Sequence, residues 1–187
     1  MPEAFPWGIV LPLLLAALLL VLLSWFVHRG AQALAQTREI AGFQRDAADL
    51  SARIDGTLGQ LTARVDGVRR QQIPPAEIQE ELKQALDSLA TYLDEARAIN
   101  APAGLTETRN LIAQDIQRAA RAVEMVSYGV RLWTGSVGGR RAELEAQTSI
   151  KRGYLNLLHA RDSVAEHTSD VAAARDAAER KWRTSRV

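Results

Sequence analysis

The chain has 187 residues, with 23 Lys and Arg against 22 Asp and Glu, a net charge of +1, no Cys and 47% apolar residues. Near-neutrality argues against a dedicated nucleic-acid binder, which carries a strong basic excess. The missing Cys excludes disulfide scaffolds, thiolate metal sites, cysteine catalysis and an anchor built on an acylated Cys. The apolar content is too high and too periodic for a disordered chain, and the length suits one domain with an appendage.

The apolar residues are unevenly placed. After a short tail, residues 1–6, the stretch Trp7–Val27 carries no charge. A helix of ~20 apolar residues spans a hydrocarbon core of ~30 Å. A transmembrane helix is therefore expected over 7–28, with the lipid bilayer as the first partner. Trp7 and Trp25 stand at its two ends, where indole rings favour the headgroup boundary, and His28 and Arg29 mark the exit into water. Pro12 falls in the second turn, a position that membrane helices tolerate. The competing reading is a signal peptide cut after Ala33-Leu34-Ala35. The n-region lacks Lys and Arg, and the apolar run exceeds an ordinary h-region. Charge asymmetry sets the orientation. Only Glu3 precedes the span, whereas Arg29, Arg38 and Arg45 follow it, so the positive-inside rule places the large domain in the cytoplasm at the plasma membrane. The opposite orientation, an uncleaved signal-anchor with the domain outside, is the alternative.

Past the span, residues 29–187 read as helices with short breaks at Ile73-Pro74-Pro75, at Asn100-Ala101-Pro102-Ala103-Gly104 and around Gly135–Gly139. These divide the domain into helical segments of about 28–72, 76–99, 105–134 and 141–183. In the first, Phe43, Ala47, Leu50, Ile54, Leu58, Leu61, Val65 and Val68 step by four and three. The second carries Ile78, Leu82, Ala85, Leu86, Leu89, Leu93 and Ala96. Ile112, Ile116, Ala119, Val123, Val126, Val130 and Trp133 form the third stripe; Ile150, Tyr154, Leu157, Val164 and Val171 form the fourth. Four coiled-coil-like stripes bury one another, so the expected fold is all-α: a transmembrane helix continuing into an antiparallel four-helix bundle. Gly42, Gly56, Gly59 and Gly67 interrupt the first segment and call for either close packing or a kink.

Segment lengths bring the end of the fourth helix back to the bilayer, where Arg175, Arg180, Lys181, Arg183 and Arg186 surround Trp182. This group reads either as a membrane-surface basic cluster or as a solvated end complementing the helix dipole. Segment 76–99 has six acids against Lys83 and Arg97, while 135–187 has ten bases against seven acids. Facing charges of this kind select helix neighbours.

The chemistry census is short. Gly135–Arg141 lacks the Gly-Lys-Ser/Thr ending of a phosphate loop. His159 and His167 lie two turns apart, too far to share one metal. No enzyme activity, cofactor, metal or small-molecule substrate is expected. Tyr92, Tyr128, Trp133 and Tyr154 are the residues that would line an inter-helix pocket if the bundle held a ligand.

The stretch Ile99–Arg109 between two Ala/Leu-rich helices resembles the mid-bundle turn of uncharacterised bacterial envelope proteins that are tethered by a lipid or a single span. The overall plan resembles LemA-type proteins, although the Arg- and Asp-rich segment those carry after the span is not recognisable here. The resemblance implies architecture only. The function expected is a single-pass, membrane-anchored scaffold or accessory protein acting on a protein partner or on itself. The alternative is an extracytoplasmic ligand-sensing bundle.

Overall fold

The computed structural model describes the backbone of residues 7–135 and 139–184. Side chains are described at Leu19, at 22–25, at His28, and over 38–180 apart from 103, 136–138, 174, 175, 178 and 179. Four long helices run in order: α1 (Trp7–Arg69), α2 (Gln79–Ala98), α3 (Thr106–Thr134) and α4 (Gly139–Thr184). Single 3-10 turns, Pro75–Ile78 and Ala103–Leu105, lead into α2 and α3. No strand occurs among the described residues.

α1 is one uninterrupted helix of 63 residues. It runs through Pro12 and all four glycines without a break. No atom outside the helix lies within 4 Å of a Cβ built on Gly42 or Gly56, and Gly59 meets only the Arg161 guanidinium at 3.8 Å. Close packing therefore explains one of the four. A Cβ on Gly67 would sit 2.5 Å from Ile73 Cδ1. Ile73 folds back there because α1 stops at Arg69, earlier than the prolines require. Gln71 takes φ 60°, its amide donates to the Val68 carbonyl at 2.9 Å, and the Gln72 amide donates to the Gly67 carbonyl at 2.8 Å. That paired bonding is a Schellman closure, with Gln where Gly is usual.

Each helix packs on its two chain neighbours, and α4 closes the ring against α1. Cross-helix contacts give the directions. Arg64 meets Glu81 while Arg53 meets Glu95 (α1, α2), and Arg69 stacks on Tyr154 while Asp55 meets Arg161 (α1, α4). On α3 and α4, Gly129 faces Ile150 while Asp115 meets His167. In every case the numbers rise on one helix and fall on the other, so the helices are antiparallel. The acidic α2 and the basic α4 thus fall on a diagonal. Two acids of α2, Glu95 and Glu81, pair instead with Arg53 and Arg64 of α1, which corrects the charge pairing that net balances suggested.

Most of the stripe residues read from the sequence form the core, with Leu86, Leu93, Trp133 and Tyr154 half-buried against it. Phe43 to Val68 on α1, Ile78, Leu82, Ala85, Leu89 and Ala96 before and along α2, Ile112 to Val130 on α3, and Ile150, Leu157, Val164 and Val171 on α4 are all buried. Burying each large side chain contributes about 1.5–3 kcal/mol. A second, small cluster, Phe43 with Leu105 and Val171, is covered by Ile40, Ile99 and Ala101. It seats the α2–α3 turn on α1 and α4. α1 continues beyond this turn for more than thirty residues toward its N-terminus.

α3 and α4 share the most extensive interface, and small residues set it. Ala122, Val126 and Gly129 on α3 have the same spacing as Ala146, Ile150 and Gly153 on α4. A Cβ on Gly129 would meet Ile150 Cγ1 at 2.7 Å and the Ala146 carbonyl at 2.8 Å. A Cβ on Gly153 would meet Val126 Cγ2 at 2.5 Å and the Ala122 carbonyl at 2.9 Å. Each glycine admits the other helix's backbone, a reciprocal arrangement about a local twofold. The Ser149 hydroxyl donates across it to the Met125 carbonyl at 3.0 Å.

Candidate functional site

Three parts of the molecule depart from what a self-contained bundle needs. The first is the N-terminal arm of α1. Leu19, Leu22, Leu23 and Trp25 are 45–63% exposed, although Leu50, Ile54 and Leu58 on the same helix are fully buried. His28 is also exposed. The side chains of Trp7 and Arg29 lie outside the described residues. Among the described residues no helix is long and apolar enough to cross a membrane. Most side chains of the expected span, 7–28, lie outside the described ones.

The second is a buried charge. Asp115 on α3 has no exposed surface, yet it lies in the apolar stripe between Ile112 and Ala119. Its Oδ2 is 2.8 Å from Nδ1 of His167 on α4, and its Oδ1 accepts from the Arg118 guanidinium at 2.5 Å. His167 is about one-fifth exposed and Arg118 half exposed, so the cluster runs from core to surface. A buried carboxylate is retained only when paired and hydrogen-bonded. Here both oxygens are satisfied. His159, by contrast, is exposed. Among the described residues no group of three or more His, Asp or Glu converges as a metal site would require.

The third is the α1–α2 seam, the least extensive interface of the ring. It is held by polar contacts. Arg64 Nε donates to both Glu81 oxygens at 3.1 Å. Arg53 bonds Glu95 and sits over the Tyr92 ring at 5.4 Å, and the Tyr92 hydroxyl pairs with Thr57 Oγ1 at 3.2 Å. The bond from Arg53 holds the Glu95 carboxyl below its ordinary range. Arg69 does the same to Asp66 at the end of α1.

The four aromatic residues named as pocket candidates do not come together. Tyr92 faces α1, and Tyr154 lies under Arg69, 5.2 Å from its guanidinium carbon. Trp133 packs on the core. Tyr128 is exposed and donates to Glu145 at 2.9 Å, and that carboxylate pushes the phenol pKa up. None of the four lines either of two open grooves found among the described residues. One, of about 660 Å³, lies between α2 and α3 over Leu82, Leu86 and Val130, rimmed by Lys83, Glu124 and Arg131. The other, of about 520 Å³, lies between α1 and α2 among Arg45, Asp49, Arg53 and Glu95. Of the basic cluster at the end of α4, Arg180 is exposed. The side chains of Arg175, Lys181, Arg183 and Arg186 lie outside the described residues.

No protein-family model, curated protein or solved structure matches the chain. The functional reading therefore rests on its own residues.

Proposed function

We propose that the chain is a single-pass membrane protein whose four-helix bundle stands on the cytoplasmic face and acts as a scaffold for a protein partner or a second copy. One observation carries the reading. The helix that supplies the apolar segment 7–27 is the same unbroken α1 that forms the bundle core, and its described side chains in that segment are three leucines, a tryptophan and one serine, all exposed. Lipid is the environment that such a face suits, because soluble proteins rarely leave apolar patches of that extent uncovered. Anchorage of this kind works by raising local concentration, while helix faces supply specificity. Leu144 and Leu155 support the protein-contact part. They are 58% and 52% exposed, and eleven residues apart they share one face of α4.

Because the chain lacks Cys, one introduced thiol reports position without interference. Arg140→Cys, at the exposed start of α4, is expected to react with a membrane-impermeant maleimide only after lysis. Labelling of intact cells contradicts the cytoplasmic placement. A photo-crosslinking residue at Leu144 or Leu155, with the full chain in its membrane, is expected to give a discrete adduct that Leu155→Arg removes at Leu144. No adduct at either position contradicts the scaffold reading.

The groove over Leu82, Leu86 and Val130 favours a second reading, a ligand-sensing bundle outside the membrane, since ~300–1,000 Å³ is the size range of small-molecule sites. Labelling of Arg140→Cys in intact cells selects it.

A further inference from the structure

We infer that the C-terminal turns of α4 form a second membrane contact, an electrostatic foot for anionic lipid headgroups beside the point where α1 enters the bilayer. The inference rests on the anchored reading above and adds a partner for a different part of the chain.

The register of α1 against α4 places the foot. Phe43 and Val171 share one buried cluster, so they mark the same level in the bundle. From that level α1 runs back to His28 and α4 runs on to Thr184, both without interruption. At 1.5 Å per residue these distances are ~22 Å and ~20 Å. The last turn of α4 thus arrives at the height where the uncharged segment of α1 ends. The α2–α3 turn, seated on Phe43 through Ile99 and Leu105, stops short of that height. Among the described residues, only α1 and α4 reach it.

Charge is segregated to the same end. Residues 28–39 and 175–184 hold six bases and three acids, a net of +3. The remaining residues hold seventeen bases and nineteen acids, a net of −2. A near-neutral protein is therefore polarised along its long axis, with the positive end toward the membrane. Trp182 lies within the basic run, and indole favours the headgroup layer. Anionic lipid attracts juxtamembrane cations within a Debye length of the surface, and each cation strengthens the contact about fivefold. A helix end serving only as a solvated cap would need neither the matched height nor the excess over the rest of the chain.

The test uses the full chain in vesicles of phosphatidylcholine alone or with phosphatidylglycerol. An environment-sensitive probe is attached at Ala177→Cys, an exposed position between Arg175 and Arg180. The expected result is a blue-shifted, iodide-protected probe in anionic vesicles only, reversed by ~1 M salt, where the Debye length falls to ~3 Å. Arg180→Glu/Lys181→Glu/Arg183→Glu is expected to abolish the difference with helix content unchanged. Equal probe behaviour in both vesicles, with the chain retained through alkaline carbonate extraction, overturns the foot and leaves the anchor standing. Loss of the chain on extraction overturns both.

Discussion

Asp115 Oδ2 and His167 Nδ1 meet at 2.8 Å across the α3–α4 interface, in a bundle whose other buried positions are almost entirely apolar. A polar pair of this kind adds little net stability, because desolvation offsets the attraction, but it penalises every register that separates the partners. Removing one partner therefore differs from removing both. His167→Ala leaves Asp115 with Arg118 alone and is expected to destabilise the bundle by about 1–3 kcal/mol. Asp115→Leu/His167→Leu is expected to recover most of that loss. Thermal unfolding of the parent chain and the two variants in detergent, followed by circular dichroism, checks it; a double variant no more stable than His167→Ala contradicts it.

Glycines separate into two kinds. Gly129→Ala and Gly153→Ala place a methyl within 3 Å of the facing backbone carbonyl and should each cost about 1–3 kcal/mol. Gly56→Ala meets nothing within 4 Å and should gain up to about 1 kcal/mol from helix propensity. For a chain of this size each kcal/mol moves the melting temperature by about 2–4 °C. Equal effects at the three positions would contradict the close α3–α4 approach.

Gln71 offers a single-site gain. A non-glycine residue in the left-handed region costs about 1–2 kcal/mol, and Gln71 sits at φ 60°. Gln71→Gly is expected to raise the melting temperature, whereas Gln71→Val is expected to lower it. An unchanged melting temperature in both would show that α1 does not close this way.

Glu95 and Asp66 give the pH dependence. Hydrogen bonds from Arg53 and Arg69 lower these two carboxyl pKa values in the folded chain. A lowered folded value stabilises above the unfolded pKa, about 4 for carboxylates, and the gain is lost as pH falls through the folded value. Stability should therefore decline below about pH 4, through Glu95 at the α1–α2 seam and through Asp66 at the end of α1. Glu95→Gln should flatten part of the decline between pH 5 and 2, as read by melting temperature. An identical slope in Glu95→Gln rules out this pair as a source.

The stripes of the four helices were legible because burial imposes a four-three period, and each stripe member from Phe43 to Val171 follows it. Helix ends were less legible. α1 stops at Arg69 because Gln71 turns left-handed and Ile73 returns over Gly67, a tertiary contact that the downstream prolines do not announce. The α3–α4 crossing was written as a repeated spacing, Ala122-Val126-Gly129 and Ala146-Ile150-Gly153, but short spacings of small residues recur by chance and acquire meaning only when the helices face each other. The Asp115–His167 pair had a signal too. Each sits three residues after one stripe member and four before another: Asp115 between Ile112 and Ala119, His167 between Val164 and Val171. Comparing histidines only with one another on α4 hides a partner on α3. The aromatic residues misled for the opposite reason. Tyr92, Tyr128 and Tyr154 each satisfy a hydroxyl or a ring face with a nearby polar group on a different interface, and sequence carries no record of which interface that is.

In the proposed function α1 joins a bilayer-spanning segment to the bundle core. Alkaline carbonate extraction of membranes from cells expressing the full chain, followed by flotation, tests this most directly. The chain should remain with the floated membranes, and Leu14→Arg/Leu18→Arg should release it with helix content of the bundle retained. Release of the unaltered chain into the carbonate supernatant would contradict the claim.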